Sequence, residues 1–174
     1  TVGGGIRSLE DVSLLLEAGA DKVSIGSAGV SRPELLAEIA REHGNQILVI
    51  SLDIKRADSA SGFVVTSHGG RQETGLDAMQ WIEKVQELGA GELLINSIDA
   101  DGTREGFDLE LIEKVRKIAA VPIIASGGAG KISDFVEAAQ AGADALLAAS
   151  VFHSGEISIA QVKQALEQSG IEAR

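Results

Sequence analysis

The sequence predicts an α/β fold around a parallel sheet, and three patterns indicate it. Strand candidates alternate six times with helical patterns along the 174 residues, an order typical of parallel strands joined by right-handed crossovers. Most of the strand candidates are continuous apolar runs, as in strands covered on both faces. One strand–turn–helix design also occurs twice. We expect a single domain over residues 1–174, since this length allows a sizeable core.

The repeated design lies near the two ends of the chain. Gly4 and Gly127 each follow a strand candidate, and they are separated by 123 positions. Asp21 and Asp144 each follow the helix of their copy, and their separation is the same. A match without gaps over two strands and a helix is an internal repeat.

The strand candidates share short length and apolar or small residues. They are Thr1–Gly3, Lys22–Ile25, Ile47–Leu52, Leu93–Ser97, Val121–Ala125 and Ala145–Ala148. Helical patterns follow them, and glycine ends several of these, as Gly19 and Gly89 do. Pro33 predicts a first helical turn, with Ser31 as the cap before it.

One segment interrupts the alternation. Lys55 to Thr74 contains a short alternating run, Phe63–Thr66, between polar and glycine residues. The run predicts a hairpin-like excursion after the third strand, roughly 20 residues long, which is unusual for a plain βα connection. A long connection on such a scaffold is often functional, and a solvated surface excursion is the alternative.

Six units can form an open doubly wound sheet or part of a barrel. A complete (β/α)₈ barrel needs about 250 residues, or roughly 30 in each unit. The chain length fits six such units, and the repeat favours the barrel, because two similar turns facing each other require near-twofold symmetry. We therefore predict an incomplete barrel of the (β/α)₈ TIM-barrel family, with two open sheet edges.

Composition excludes several classes of function. The net charge of −11 argues against nucleic acid or an acidic membrane surface as the main partner. No apolar run approaches the roughly 20 residues of a membrane span. The chain has no cysteine, which fits a cytoplasmic location. His43, His68 and His153 lack metal-ligand spacing, so we expect no metal and no cofactor.

The two glycine turns are candidate phosphate sites. Backbone N–H groups after Gly3–Gly5 and after Ser126–Gly128 can approach an anion closely, and so can those of the next strand ends, Gly26-Ser27 and Ala149-Ser150. One glycine pair alone indicates only a tight turn. Two copies at matched spacing predict two phosphate cups, and therefore a ligand with a phosphate at each end.

Asp53 is the candidate for proton transfer. It follows the apolar run that ends at Leu52, which places an ionisable group at the carboxyl end of a strand, where barrels carry their chemistry. A salt bridge to Lys55 or Arg56 is the structural alternative.

Further candidates follow the fourth strand and lie in the excursion. Asp101-Gly102 predicts a turn in which the Asp side chain caps backbone donors, with both residues beside the second phosphate. For Asp99, a plain turn is nearly as compatible with the sequence as a functional role. His68, in the excursion, is a weaker candidate for contact with substrate, and Trp81 predicts packing of a helix on the barrel.

Together these motifs closely resemble the cyclase subunit of imidazole glycerol phosphate synthase, along the whole chain, as strands three to eight of that barrel. The matching stretches are Thr1–Ile6, Gly19–Ile25, Ser51–Arg56, Ser97–Thr103 and Ile124–Lys131.

The resemblance implies a lyase of histidine biosynthesis. In that reaction, ammonia from a partner glutaminase, bound as a heterodimer, converts a phosphoribulosyl-formimino aminoimidazole carboxamide ribonucleotide to imidazole glycerol phosphate and aminoimidazole carboxamide ribotide. By match to the family's motifs, Asp53 is the general acid/base, and Lys22 and Glu92 belong to a charged gate for ammonia. The matched phosphate-binding residues are Gly5 and Ser27 for one phosphate, and Asp101, Gly102, Gly128, Ala149 and Ser150 for the other.

The sequence departs from the family in two respects. It contains no first strand with a second catalytic Asp, so we expect the first two βα units to be absent and the chain alone to be inactive. Gly26 replaces the Asn usual at its position. Two alternatives stay open: the sister isomerase of the pathway, and a non-catalytic phosphate-binding fragment. Asp101–Thr103 and Ala129–Lys131 favour the cyclase over the isomerase.

Overall fold

A computed structural model describes residues 1–174. Its eight strands are β1 (Val2–Gly3), β2 (Val23–Ile25), β3 (Leu48–Arg56), β4 (Phe63–Ser67), β5 (Gln72–Asp77), β6 (Glu92–Ser97), β7 (Ile123–Ser126) and β8 (Ala145–Leu147). Its eight α-helices are α1 (Leu9–Glu17), α2 (Ser27–Ser31), α3 (Glu34–His43), α4 (Ala78–Glu87), α5 (Leu109–Arg116), α6 (Ile132–Gln140), α7 (Ser150–His153) and α8 (Ile159–Gln168).

Six of the strands form a parallel sheet in the order β1-β2-β3-β6-β7-β8. Apart from the hairpin strands, each strand lies beside the next one along the chain, as in a barrel wall. The sheet does not close, because β1 and β8 each pair on one side only. The prediction of an incomplete (β/α) barrel with six βα units is confirmed.

Helices cover one face of this sheet, and the other face is a partly open concave surface. In β3, Ile50, Leu52 and Ile54 are at most 2% exposed and belong to the main core, whereas Ser51 and Asp53 between them are half-buried. The expectation of strands covered on both faces is met at Val49, which is 1% exposed, but not at Ser51 and Asp53. An apolar run records burial under the helices and does not show how deeply the alternate residues are enclosed.

The predicted hairpin is present and is longer than expected. β4 pairs antiparallel with the end of β3, from Asp53↔Thr66 to Arg56↔Phe63, and β5 pairs with β4. The Phe63 ring lies under the Arg56 guanidinium at 4.7 Å from the centroid, and Lys114 of α5 lies at 5.0 Å. These cation–π contacts hold the hairpin against α5.

Three sequence-based assignments need correction. Asp53 lies inside β3 instead of after its end, because the hairpin strand β4 extends the pairing to Arg56. Ile47 belongs to a 3-10 turn, Asn45–Ile47, before the strand. Ser31 is not a helix cap: it ends α2, where its hydroxyl donates to the Ser27 carbonyl, and Pro33 precedes α3 with no side-chain cap.

The internal repeat predicted from the sequence is also a repeat of backbone geometry. Helices α1 and α6 have the same length and begin 123 positions apart, at Leu9 and Ile132. Each helix carries an aspartate that accepts two backbone N–H groups at its start: Asp11 in α1 and Asp134 in α6. The two copies therefore present equivalent turns at the ends of β1 and β7.

The helices also fix the places of Trp81, His43 and His153. Trp81 lies on α4, is 8% exposed and packs into the main core, as predicted. His43 and His153 are the last residues of α3 and α7. None of the helices has the length and apolar character that crossing a membrane requires.

Candidate active site

The first predicted cup is the glycine turn after β1. Gly4 and Gly5 have φ of 98° and 75°, a left-handed conformation that favours glycine, and both are exposed. The turn and Ser27, the first residue of α2, line an open cavity of about 830 Å³ on the concave face. The structure therefore brings Gly5 and Ser27 together, as predicted from the repeat.

The hairpin reaches this first cup. The backbone N–H of His68 donates to Ser27 Oγ at 3.0 Å, and His68 lines the same cavity. His68 is exposed and has φ of 54°, a region that residues other than glycine seldom adopt. The excursion is thus not a detached surface loop, since its tip touches a candidate ligand site.

The second predicted cup is a smaller cavity of about 160 Å³ at the ends of β7 and β8. All five residues assigned to it from the sequence line this cavity: Asp101, Gly102, Gly128, Ala149 and Ser150. A Cβ atom on Gly128, whose φ is 101°, would lie 2.0 Å from the Gly106 carbonyl oxygen. Only glycine fits at this point, because the loop after β6 is packed directly on the turn.

The Asp101 loop forms a turn, but the predicted cap is not present. The backbone N–H of Asp101 donates to the Ser97 carbonyl at 2.9 Å, and Gly102 has φ of 77°. The exposed Asp101 carboxylate accepts no backbone hydrogen bond. Asp99 caps a backbone donor instead, since its Oδ2 accepts the N–H of Arg56 at 2.7 Å.

Asp53 lies on the concave face between the two cups. Its Oδ1 accepts a hydrogen bond from Nδ2 of Asn96 on β6 at 3.1 Å, because Asp53 and Asn96 are register partners. The alternative of a salt bridge to its neighbours is not what the structure shows: Lys55 pairs with Glu73, and Arg56 pairs with Asp108 and Glu110.

The Arg56 pairs fix the base of the hairpin. The hydrogen bond to Glu110, more than any other contact, raises the pKa of Arg56. The same contact with Arg56, followed by one with Lys114, lowers the pKa of Glu110. These charges are engaged with one another, so they leave the Asp53 carboxylate to its bond with Asn96.

Lys22 and Glu92 form an ion pair at the opposite end of the sheet. Lys22 directly precedes β2, and Glu92 is the first residue of β6, so both lie at the amino ends of the strands. Their side chains are 35% and 20% exposed. The structure brings this predicted pair together and separates it from Asp53 by the length of the strands.

A family model described as "Histidine biosynthesis protein" matches residues 1–158. The chain belongs to this family. It is similar to imidazole glycerol phosphate synthase subunit HisF from Leifsonia xyli, with 65% identity over 175 residues, all of this chain and 69% of the relative. The corresponding subunit from Thermobifida fusca is 60% identical over 178 residues and that from Bifidobacterium adolescentis 54%, each with all of this chain and 70% of the relative covered.

These relatives confirm the resemblance drawn from the motifs, which is to the cyclase subunit of imidazole glycerol phosphate synthase in histidine biosynthesis. The family supplies the fold and the reaction class, that of a lyase.

One departure from the family, Gly26, has space for a side chain but an unusual backbone. A Cβ there would make ordinary contacts with Ser51 at 3.5 Å and 3.9 Å. Its φ of −111° and ψ of −109° lie outside the α and β regions, a conformation that glycine adopts more readily than other residues. Gly26 lines the first cavity.

The sequence reasoning missed two polar residues of the site. Asn96 is one, and its signal was its place as the first polar residue after the apolar run of the fourth strand. Arg104 is the other: it lines the second cup, and in the sequence it follows the Asp101-Gly102 turn without a motif of its own. Neither could be placed without knowing which strands are neighbours.

Proposed function

We propose that this chain holds a phosphoribulosyl-formimino aminoimidazole carboxamide ribonucleotide between its two cups. There it takes part in the ammonia-dependent conversion to imidazole glycerol phosphate and aminoimidazole carboxamide ribotide. One observation carries this proposal. The cups lie at β1–β2 and at β7–β8, and Asp53 lies on β3 between them, within hydrogen-bond reach of Asn96 on β6. A ligand with a phosphate at each end would place its centre over Asp53.

Backbone groups bind the two phosphates in this proposal. Gly5 and Ser27 take one, and Asp101, Gly102, Gly128, Ala149 and Ser150 take the other. Glycine turns expose N–H groups that donate to phosphate oxygens. This mode of binding suits a chain with a net charge of −11, because backbone N–H groups supply most of the donors.

Asp53 acts as general acid/base toward the centre of the substrate. Its Oδ1 is held by Asn96, while Oδ2 has no partner among the side chains and backbone and can reach a substrate proton. Proton transfer by such a group contributes typically 10²–10⁴-fold to a rate. The resemblance assigns a second aspartate to a strand that this sequence does not contain, so turnover is to be measured with that strand supplied.

The opposite end of the sheet receives ammonia. Lys22 and Glu92 form a half-buried ion pair at the amino ends of the strands, as a gate between a docked glutaminase subunit and the barrel interior would require. Opening the gate means separating this pair, which is cheap for a partly exposed pair. The glutaminase is therefore the proposed partner in a heterodimer.

The test uses a chimaera in which residues 1–174 replace the matching part of the HisF subunit from Leifsonia xyli. We expect Asp53→Asn to lower ammonia-dependent turnover by about 10²–10⁴-fold, while affinity for the bisphosphate substrate stays within about twofold. Steady-state turnover with ammonium salts and equilibrium binding measure the two effects separately.

Asp58→Asn is the matched control, because Asp58 is an exposed carboxylate of the hairpin without side-chain partners. It should leave both quantities unchanged. Turnover of the Asp53→Asn chimaera at the parental rate would refute the acid/base role. Loss of bisphosphate binding in that variant would instead make Asp53 a binding residue.

A further inference from the structure

The second cup contains one cationic side chain, that of Arg104. Arg104 and Asp101 are the charged residues among those that line the cavity. The backbone N–H groups there supply donors but no net charge, and Asp101 adds a negative charge. A phosphate monoester carries about 1.5 to 2 negative charges at pH 7. Within this cup, Arg104 is therefore the one side chain that can balance the charge of a bound phosphate.

The backbone of Arg104 is held in place by its neighbours, and its side chain is 41% exposed. Its φ is 63°, a conformation that persists in residues other than glycine only where the surroundings enforce it. The Arg104 carbonyl oxygen lies 2.0 Å from where a Cβ on Gly130 would be. The N–H of Gly106 donates to the Gly128 carbonyl at 2.8 Å. These contacts seat the loop on the glycine turn and place the root of the side chain at the cup.

Glu156 holds the Arg104 guanidinium in the present arrangement. The Nη2–Oε2 distance is 2.5 Å, and the side chains are 41% and 52% exposed. The Ser154 hydroxyl first, and then Arg104, lower the pKa of Glu156, so the carboxylate is ionised at neutral pH. An exposed pair of this kind contributes little to stability and is readily exchanged. A phosphate offers the guanidinium two oxygens in the bidentate geometry that arginine favours.

We propose that Arg104 is an exchangeable phosphate ligand of the second cup and that Glu156 competes for it. Glu156 engages the guanidinium until a phosphate group enters the cup, and the phosphate then displaces the carboxylate. This competition weakens binding of the phosphate end and thereby favours its release. The inference rests on the proposed phosphate-binding function of the second cup.

A purely structural ion pair makes the opposite prediction for one substitution. If Arg104 and Glu156 only hold the loop after β6 against the segment after α7, then removing either partner loosens the cup and weakens binding. If they compete, removing Glu156 frees the guanidinium and strengthens binding. The sign of the Glu156→Gln effect therefore decides between the two.

The experiment is a titration of the chain with inorganic phosphate at constant ionic strength, followed by the amide NMR signals of Gly102 and Gly128. We expect Glu156→Gln to tighten binding by about threefold, within the range of exposed pairs. Arg104→Ala should weaken it by about tenfold, since it removes a charged hydrogen-bond donor. The double variant should behave like Arg104→Ala.

Glu87→Gln is the matched control, because it breaks another exposed pair, Lys84–Glu87 on α4, with the same change in net charge. If Glu156→Gln binds phosphate no more tightly than this control does, the proposed competition is overturned. Unchanged affinity of Arg104→Ala overturns the role of Arg104. If phosphate shifts neither amide signal in the unsubstituted chain, the phosphate cup itself is wrong, and the proposed function fails before the inference is reached.

Discussion

The two copies of the strand–turn–helix repeat share a backbone and differ in how tightly the chain encloses them. Gly5 in the first copy and Gly128 in the second both have positive φ, 75° and 101°. A Cβ on Gly5 would meet nothing within 4 Å, whereas one on Gly128 would collide with the Gly106 carbonyl oxygen. Gly5 is exposed and Gly128 is buried.

The cause of this difference is the position of each copy in the sheet. β1 is an edge strand with β2 as its one neighbour, whereas β7 lies between β6 and β8. The loop after β6 folds over the second turn, and no comparable segment covers the first. The same sequence pattern is thus required by packing in one copy and only by backbone conformation in the other, and substitution can separate these requirements.

The largest expected effect is that of Gly128→Ala. The added methyl group collides with backbone at a position whose φ is already unfavourable for alanine. We expect a loss of about 4 kcal/mol in the free energy of unfolding, from overpacking together with the left-handed conformation. Equilibrium denaturation with urea measures this loss.

Gly5→Ala is its counterpart in the first copy. It has space for the methyl group, so only the conformational cost of about 1–2 kcal/mol remains. Equal losses for the two variants would contradict the difference in enclosure. A larger loss of unfolding free energy for Gly5→Ala would mean that the first turn is the more tightly enclosed of the two.

The next effect concerns the aspartates that begin the two helices. Asp134 is 2% exposed and accepts the N–H groups of Gly130 and Lys131, both at 2.9 Å. Asp134→Ala removes the buried carboxylate from these two part-buried donors, and we expect a loss of about 3 kcal/mol of unfolding free energy. Asp11→Ala should cost clearly less, because water can replace the lost carboxylate there. Similar midpoints and slopes of urea unfolding for the two variants would show that enclosure does not change what the aspartate contributes to stability.

Much of this comparison could be predicted from the sequence. The repeat, the six parallel units and the members of both cups depend on local signals: glycine spacing, apolar runs and the 123-residue offset between Gly4 and Gly127. Such signals are carried by residues close together in the chain, and the same turn forms whether or not anything covers it.

The rest depends on contacts between distant segments. Asn96 meets Asp53 through strand register, His68 reaches Ser27 across 41 positions, and Arg104 meets Glu156 across 52. No periodicity in the sequence encodes which of these side chains become neighbours. The extension of β3 to Arg56 was missed for the same reason, since it depends on pairing with β4.

The smallest effect is a pH dependence that belongs to the first copy. The backbone N–H of Arg7, and next the Ser8 hydroxyl, lower the pKa of Asp11 below 3.8. Because the folded-state pKa is below the unfolded value of about 3.9, ionised Asp11 stabilises the fold above that pH. The contribution is lost as the pH falls through the folded pKa. The thermal midpoints of the unsubstituted chain and of Asp11→Asn should therefore differ by a constant amount from pH 7 to about pH 4 and converge below it. Asp58→Asn, at an exposed carboxylate without side-chain partners, controls for the change in net charge. A gap between the Asp11→Asn and unsubstituted midpoints that widens on acidification would mean that Asp11 does not stabilise the first turn through its charge.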